Sequence, residues 1–596
     1  MLALIEVALR LTRPSGGLPL FVRSEVMGTR YLVANRAVGG RWFPGLENPP
    51  SPAAEPFSEQ KPARGYRVFV LGESSAAGFP YPRNAMFSRL LRDVLRDVLP
   101  GDSVEVVNVG VAATNSFTML DVTRDIAAQR PDAVLIYGGH NEYYGAFGAA
   151  SRIGIPGGTA MVRAYLRLLR LRTVLALRNG IAALRIRGNG SGQSDLEAAS
   201  LMEVLARDRQ VPFGSAGYAR GIRQFETNLE SIVAHLTSRG IPVLIGSVES
   251  NLRDQRPFAA EANSRPGGAG AVFDRARSVL AAADTAEAKK LYERARDLDV
   301  VRFRAPTAIN EVIQRVARRA GATYVPVAEA FARASPAGIP GSNLFLEHVH
   351  PNRDGYALIA RVFFEELART GLLGSTYDST RLRAWGEYSR GTTLTPLDER
   401  IALHLTATLV SRWPFVPVER QADYRGSYVP SSLLDSLAFA VSRGERWEGA
   451  KLRLAEDYER RQQHDSAAAE YAGLARDAPM FAEPLMLAAR ALDRAGRSDD
   501  AEAALRRVVA IRPSAPALSS LARRAFQRRA IGEAIGLSER SLALQPNQPD
   551  LLYQLSLGYG MSRDLPNARA TALRLARIQP RDPRLPELLS GLGMRP

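Results

Sequence analysis

Cysteine is absent from this chain of 596 residues. Its absence excludes a disulfide framework, a thiolate zinc site and a cysteine nucleophile. It does not fix the compartment, because cysteine-free proteins occur in the cell envelope and in the cytosol alike. A chain of this length suggests several domains and can bury a large core without disulfide bonds.

Lysine is scarce and occurs only at positions 61, 289, 290 and 451. Arginine supplies almost all of the 78 basic residues, which exceed the 61 acidic residues and give a net charge of +17. The arginines are scattered among acids and alanines, whereas a nucleic-acid binder usually concentrates its charge on one stripe or tail. We therefore expect no nucleic-acid partner, and we attribute the charge to solubility or to attraction towards a membrane surface.

Long hydrophobic runs are also lacking. Residues 1–10 read MLALIEVALR, which is far shorter than the roughly 20 residues that a membrane span needs. They lack the basic start and the cleavage site of a signal peptide. Two interpretations of the segment 1–63 stay open: its start is an amphipathic helix docked on the following domain, or it is the remnant of a membrane anchor.

Five short apolar runs follow residue 64, separated by stretches with helical periodicity. Nearly continuous apolar runs are typical of strands that are buried on both faces of a parallel sheet. Strand and helix alternate five times, which predicts a parallel five-stranded sheet with helices on both faces. The runs are 66–72, 104–110, 133–139, 242–248 and 324–327.

We assign residues 64–375 to this α/β domain, with two long inserts at 145–215 and 253–306. The first insert contains AMVRAYLRLLRLRTVLALRNG, an arginine-rich amphipathic stretch. Such a stretch packs its leucines on the domain or lies on a membrane surface, and both interpretations stay open.

The last 150 residues repeat with a fixed period. Prolines at 479, 513, 546 and 580 are spaced by 34, 33 and 34 residues, and an alanine stands twelve residues before each one. A small residue at a tight helix crossing and a proline after the second helix are typical of helical-hairpin solenoids. The pattern resembles tetratricopeptide repeats. The resemblance implies an all-α solenoid over 446–596 with a capping helix, a helical linker over 376–445, and a protein or peptide partner.

Polar residues follow two of the predicted strands, and a third polar motif lies near the end of the domain. Ser74 in LGESSAAG stands between a strand and a helix, Asn141 in GGHNE follows the third strand, and His350 in EHVHPN precedes a helix. Open parallel sheets place their sites at these strand ends. Glu347 lies three residues before His350, close enough to fix the tautomer of its imidazole ring.

A metal site at His348 and His350 is the rival interpretation of the last motif. The chain has only six histidines, and no His-Glu-x-x-His or similar ligand set accompanies this pair. We therefore expect no metal and no cofactor.

Together, the three motifs resemble the blocks of the SGNH (GDSL-like) hydrolase family. The resemblance implies a three-layer, flavodoxin-like α/β domain and a serine esterase in which Ser74 is the nucleophile, His350 the base and Glu347 the orienting acid. It also implies an oxyanion hole made by the backbone N–H of Ser74, a backbone N–H at Ala113 or Gly110, and the Asn141 amide.

The sequence departs from the family pattern at four positions. Glutamate stands at 73, 142 and 347, where the family usually has aspartate, and Ala113 stands where glycine is usual. The longer Glu347 side chain puts the geometry of its contact with His350 in doubt. The alanine leaves open which backbone N–H of this loop serves the oxyanion.

We predict that the substrate contacts Tyr143, Tyr144 and Asn251, and that Phe79 and Tyr81 belong to an aromatic rim. The leading hypothesis is an ester hydrolase for O-acyl groups, including a deacetylase, with the repeats as a docking surface. The alternatives are an acyltransferase that acts on a bacterial surface glycan and a repeat scaffold with an inactive hydrolase domain. We expect the protein in the bacterial cell envelope, periplasmic or membrane-associated, and otherwise in the cytoplasm.

Overall fold

The computed structural model describes residues 6–9, 17–26, 28–44, 46, 48–81, 83–188, 201–259, 267–390 and 394–594. The chain divides into two compact units. The first comprises Met1–Thr392 with Asp398–Val429, and the second comprises Thr393–Leu397 with Pro430–Pro596. Most of the apolar start at 1–10 and parts of the two inserts and of the linker, at 189–200, 260–266 and 391–393, lie outside the described residues.

An antiparallel sheet of three strands, which the sequence did not predict, precedes the α/β domain. It consists of β1 (Phe21–Val26), β2 (Thr29–Ala34) and β3 (Pro56–Ser58). Phe21 and Phe57 pack edge to face with ring centroids 5.0 Å apart, and both rings contact Phe69 of the domain that follows. Part of the predicted segment 1–63 therefore packs into the core of the first unit, through residues that include Trp42, Phe43 and Phe57.

The main sheet has five strands, all parallel, and confirms the predicted fold. Its order is β5–β4–β6–β7–β8. The first of these five strands along the chain, β4, therefore lies between the second, β5, and the third, β6. The crevice at such a change of direction is where open α/β sheets bind ligands. The strands are β4 (Gly65–Gly72), β5 (Ser103–Asn108), β6 (Ala133–Tyr137), β7 (Val243–Gly246) and β8 (Thr323–Val325).

Helices cover the sheet and occupy the stretches between its strands, where the helical periodicity predicted them. Their starts follow local chemistry: Asn115 forms a capping box with Thr118, and Asn352 caps the helix after the histidine motif. The helices up to residue 429 are α1 (Ser74–Ala77), α2 (Phe87–Val98), α3 (Ser116–Ala127), α4 (Gly158–Leu168), α5 (Arg172–Gly188), α6 (Leu201–Ala206), α7 (Ala216–Thr237), α8 (Ala269–Ala281), α9 (Thr285–Leu298), α10 (Thr307–Ala320), α11 (Val327–Arg333), α12 (Arg353–Arg369), α13 (Trp385–Arg390), α14 (Pro396–Val410) and α15 (Tyr424–Ser427). Short 3₁₀ helices lie at Arg36–Arg41, Arg83–Ala85, Pro336–Gly338, Ser379–Arg381 and Val418–Arg420.

The second unit is an all-α array of helical hairpins, as predicted. Alanines 467, 501, 534 and 568, which mark the repeat, are all completely buried. Each periodic proline stands two residues after the second helix of its hairpin. The helices are α16 (Leu433–Ser442), α17 (Trp447–Arg460), α18 (His464–Asp477), α19 (Glu483–Arg494), α20 (Ser498–Ile511), α21 (Ala515–Gln527), α22 (Ile531–Leu544), α23 (Pro549–Met561), α24 (Leu565–Ile578) and the terminal α25 (Leu585–Gly591).

Within the described residues, no helix has both the length and the apolar composition needed to cross a membrane.

A buried ion pair lies inside the first hairpin of the array. Lys451 Nζ of α17 donates to Glu470 Oε2 of α18 at 2.6 Å and to Thr395 Oγ1 at 3.0 Å. Both charged side chains are at most 1% exposed, and the ammonium lies 4.9 Å from the centre of the Trp447 ring. Removing one partner of a buried pair leaves the other charge desolvated, which is costly.

We predict that Lys451→Met lowers the free energy of local opening of α17 and α18 by about 3–5 kcal/mol. Hydrogen exchange followed by mass spectrometry measures this opening in the full chain. Arg453→Met is the matched control, because Arg453 pairs with Glu445 at the surface and such pairs contribute about 0–1 kcal/mol. A decrease no larger than the control's would contradict the prediction.

Candidate active site

The predicted nucleophile lies at the turn between β4 and α1. Gly72 ends the strand so close to β6 that a Cβ atom there would lie 2.0 Å from the Tyr137 carbonyl oxygen. Ser74 is the first residue of α1, so its backbone N–H is one of those that a helix leaves without an internal partner. Its Oγ lies 2.7 Å from His350 Nε2. The structure thus brings together the two residues predicted to transfer a proton.

Glu347 holds the other side of the His350 ring. Its Oε1 contacts His350 Nδ1 and also accepts the His350 backbone N–H at 3.0 Å. Ser74, His350 and Glu347 therefore form the linear nucleophile–base–acid arrangement of a serine hydrolase. The extra methylene of glutamate does not prevent this contact, because the loop folds back and supplies two further backbone N–H donors to the carboxylate.

His348 shares the same carboxylate, a contact that the sequence analysis did not anticipate. Its Nδ1 contacts Glu347 Oε2, and its backbone N–H donates to this oxygen at 2.6 Å. Its ring lies among Phe258, Phe303 and Phe415, with centroids 5.2–6.4 Å away. An acid directly before one histidine and three residues before another is the sequence signal that could have indicated a shared partner.

The ligand atoms of Glu347, His348 and His350 all lie within 4.8 Å of one another, so these are the side chains that could hold a metal ion. Their mutual contacts use both carboxylate oxygens and both Nδ1 atoms, and His350 Nε2 faces Ser74. This arrangement is the one that proton transfer from the serine requires.

Asn141 enters the site from the end of β6. Its side chain lines the same cavity as Ser74, and its backbone N–H donates to Glu73 Oε2 at 3.0 Å. The Gly139 N–H donates to Glu73 Oε1, also at 3.0 Å. The side chain of the residue before the nucleophile thus fixes the loop that carries Asn141. Burial raises the pKa of Glu73 to about 8, against the lowering effect of these hydrogen bonds.

The two candidates for the second backbone donor are not equivalent. The Gly110 N–H donates to Asn108 Oδ1 at 2.8 Å, so it is turned away from an oxyanion and this part of the prediction is corrected. Ala113 lines the cavity with Ser74 and has a φ of 59°. This left-handed conformation explains why glycine is the more usual residue there.

A second buried glutamate, Glu142, also stabilises the loop that carries Asn141. Glu142 accepts hydrogen bonds from the Ser116 backbone and hydroxyl, at 3.1 Å and 2.7 Å, and from the Gln224 amide. Asn228 donates to the Ser116 hydroxyl at 2.7 Å. Burial raises the pKa of Glu142 to about 7. The polar network ties the start of α3 and the middle of α7 to the Asn141 loop.

A small, largely apolar cavity opens beside Ser74, with a volume of about 150 Å³. Tyr144, which stays a predicted substrate contact, lines this cavity, and its hydroxyl donates to the Arg209 carbonyl at 2.6 Å. Phe79 packs on the His350 ring at 4.6 Å between centroids and forms part of the wall. The other walls come from Ala112, Ala113, Gly145, Leu201, Met202, Leu205, Phe303, His348, Val349 and Leu409.

Three predicted substrate or rim residues lie elsewhere. Tyr143 is completely buried, and its hydroxyl donates to the Tyr218 carbonyl at 3.2 Å. The Asn251 amide oxygen accepts the Asp254 N–H at 2.9 Å, which makes Asn251 a turn residue. Neither lines the cavity, because both side chains are used to hold loops. Tyr81 lines a different surface groove.

Residues 70–358 match the model of the GDSL-like lipase/acylhydrolase family. The chain carries a domain of this family. The GDSL-like domain contains every residue of the triad, and the family is one of hydrolases that act on ester bonds. No curated protein matches the chain.

Several solved structures resemble parts of the chain at low identity. A lipase/acylhydrolase from Enterococcus faecalis is 14% identical, covering 51% of this chain and 96% of its own, with a TM-score of 0.27. A variant of an acetyl-xylooligosaccharide esterase from Geobacillus is 13% identical over 51% of this chain and 94% of its own, with a TM-score of 0.26. YrrB, a TPR protein with an unusual peptide-binding site, is 12% identical over 26% of this chain and 80% of its own, with a TM-score of 0.24.

Glu347→Gln tests the acid of the GDSL-like triad. The two imidazole rings contact different carboxylate oxygens, and an amide has only one oxygen to offer, so His350 loses its orientation or its charge stabilisation. We expect kcat/KM for p-nitrophenyl acetate to fall by about 10²–10⁴-fold. The control is Glu365→Gln, because Glu365 forms an exposed pair with Arg361 on α12. A loss below tenfold would show that Glu347 is dispensable.

The pH dependence of the reaction tests the burial of the base. Burial lowers the pKa of His350 from 6.5 to about 3, so the neutral ring that accepts a proton persists in acid. We predict that kcat/KM stays on its plateau as the pH falls through 6.5 and declines only well below it. An acidic limb centred at or above pH 6.5 would show instead that Glu347 outweighs burial.

Proposed function

We propose that this protein is a serine-dependent hydrolase that removes small O-acyl groups, such as acetyl, from an alcohol or sugar hydroxyl. One observation carries the proposal: Ser74 Oγ lies 2.7 Å from His350 Nε2, with Glu347 on the far side of the ring and an apolar cavity beside the hydroxyl. The family match supports ester hydrolysis in general.

In the proposed reaction, His350 Nε2 takes the Ser74 proton while Oγ attacks the ester carbonyl. Glu347 stabilises the imidazolium that forms. The carbonyl oxygen becomes an oxyanion, held by the N–H groups of Ser74 and Ala113 and by the Asn141 amide, each donor contributing about 10²–10³ in rate. His350 then protonates the leaving alkoxide. Water, deprotonated by the same ring, attacks the acyl-serine; the bond from the acyl carbon to Ser74 Oγ breaks, the carboxylic acid leaves, and His350 returns the proton to Oγ.

The preference for a short acyl group follows from the cavity. Its volume of about 150 Å³ suits a few heavy atoms, and it is bounded by bulky side chains such as Phe79, Leu205 and Phe303. Each additional methylene of the acyl chain needs space that these walls occupy, and overpacking costs about 1–3 kcal/mol. We infer that acetyl esters react faster than long-chain esters.

For the helical repeats, we propose the binding of an extended peptide or protein segment. Arrays of helical hairpins present a continuous concave surface, which supports such a role. We also infer that the enzyme acts in the bacterial cell envelope, which the excess of basic residues and the esterase chemistry support.

Ser74→Ala tests the proposed chemistry directly. We expect a fluorophosphonate probe to label the wild-type protein and the control variant Ser278→Ala, whose exposed hydroxyl donates to the Asp274 carbonyl within its own helix. The Ser74 variant should show no labelling and a loss of p-nitrophenyl acetate turnover of at least 10³-fold. Acetyl esters should exceed octanoyl esters in kcat/KM by at least tenfold.

Absence of both labelling and turnover in the wild-type protein would overturn the enzymatic proposal and favour an inactive domain on a repeat scaffold. Turnover of octanoyl esters equal to that of acetyl esters would overturn the preference for a short acyl group. An acylated glycan formed instead of free acetate in the presence of a glycan acceptor would favour transfer over hydrolysis.

A further inference from the structure

A second cavity lies on the first unit, lined by residues that play no part in the esterase chemistry. Its volume is about 230 Å³, and it lies between α3, the insert helix α4 and α7. Five basic side chains line it, and we call this cavity the basic pocket: Arg124, Arg163, Arg167, Arg170 and His235.

The negative charges of the two acids near the basic pocket are already balanced by arginines. Asp121 lies 3.3 Å from Arg41 and 3.4 Å from Arg170, and Asp125 lies 3.2 Å from Arg170. Two arginines therefore balance two aspartates. The Trp42 indole N–H also donates to Asp121, at 3.0 Å, which orients this carboxylate into its buried cluster.

The other three arginines have no carboxylate partner within the described part of the chain. Arg163 donates to neutral acceptors, Asn228 Oδ1 at 2.9 Å and the Thr227 carbonyl at 2.7 Å. Arg124 and Arg167 are exposed at the mouth of the pocket. Burial, and to a lesser extent the nearby Arg167, lowers the pKa of Arg163. The pocket is thus short of negative charge.

Exposed apolar side chains flank the basic pocket on the same insert. On α4, Met161, Ala164 and Leu168 share one exposed face, and the arginines at 163, 167 and 170 follow the next face of the same helical path. Met161 and Leu168 are about half exposed, at 52% and 49%. The exposed apolar residues, which we call the apolar ridge, continue through Leu171 into α5 with Leu177 and Ile181.

We propose that the basic pocket binds the phosphate of an anionic lipid headgroup while the apolar ridge enters the membrane interface. Guanidinium groups match phosphate oxygens in charge and in hydrogen-bond geometry. Amphipathic helices that combine arginines with exposed leucines lie in the interfacial plane of membranes. Neither feature involves Ser74, so the proposal is independent of the esterase function.

Vesicle flotation with the full chain tests the proposal. We expect the wild-type protein to bind phosphatidylcholine vesicles containing 30% phosphatidylglycerol, and to bind pure phosphatidylcholine vesicles at least tenfold more weakly. The double variant Arg124→Glu/Arg167→Glu should lose about tenfold to a hundredfold in affinity for the anionic vesicles. Leu168→Glu should also weaken binding, because it places a charge on the apolar ridge.

The control has the same net charge as the pocket variant. Arg507→Glu/Arg540→Glu reverses two exposed arginines of the helical repeats and should retain binding within about threefold. Turnover of p-nitrophenyl acetate, or fluorophosphonate labelling, and the circular dichroism spectrum should be unchanged in all variants, which shows that they are folded.

Three results would overturn the proposal. Equal binding of both vesicle types would remove the role of the headgroup charge. An equal loss in the control would assign binding to net charge alone. Binding of inorganic phosphate to the basic pocket, without any binding of the protein to vesicles, would make the pocket a site for a small soluble anion.

Discussion

The Glu73 carboxylate joins the two strand ends on which the active site depends. It stands directly before Ser74, and its oxygens accept the backbone N–H groups of Gly139 and Asn141, both at 3.0 Å. The end of β4 therefore fixes the end of β6, across the point where the order of the sheet changes direction. Any displacement of one loop moves the other. This coupling keeps the nucleophile and the amide on the same side of the cavity.

Such a contact places a carboxylate where water cannot reach it, and two further glutamates share this situation. Glu73, Glu142 and Glu347 are at most 5% exposed, and each accepts several hydrogen bonds. Backbone N–H groups are suitable donors because they are fixed by the fold and lose little freedom. The longer glutamate side chain spans the distance from its own loop to the neighbouring one.

Much of this arrangement could be predicted from the sequence, because it rests on patterns of short range. Apolar runs indicated the sheet, and the order of the motifs along the chain indicated that Ser74, Asn141 and His350 meet at one edge. The direction of a single side chain or N–H does not follow from such patterns. Tyr143 and Tyr144 are adjacent, yet one packs on Gly221 and the other lines the cavity. The direction of the Gly110 N–H is fixed by its hydrogen bond to Asn108 Oδ1. No periodicity in the sequence predicts this bond.

Arginine also has a structural role inside the fold, where buried guanidinium groups form hydrogen bonds between segments. A guanidinium group carries five donors in a planar fork, so one arginine can join carbonyl oxygens that lie on different sides of it. Arg302, 1% exposed, donates to the Val211 carbonyl at 2.6 Å and to the Asp297 carbonyl at 3.0 Å, and so links the two inserts. Leu205 and Phe303, one from each insert, both line the cavity beside Ser74. The inserts are thus cross-linked by a buried cation next to the site. Both inserts thus supply part of the wall of the cavity beside Ser74, together with Ala113 and Asn141 from loops at the edge of the common sheet.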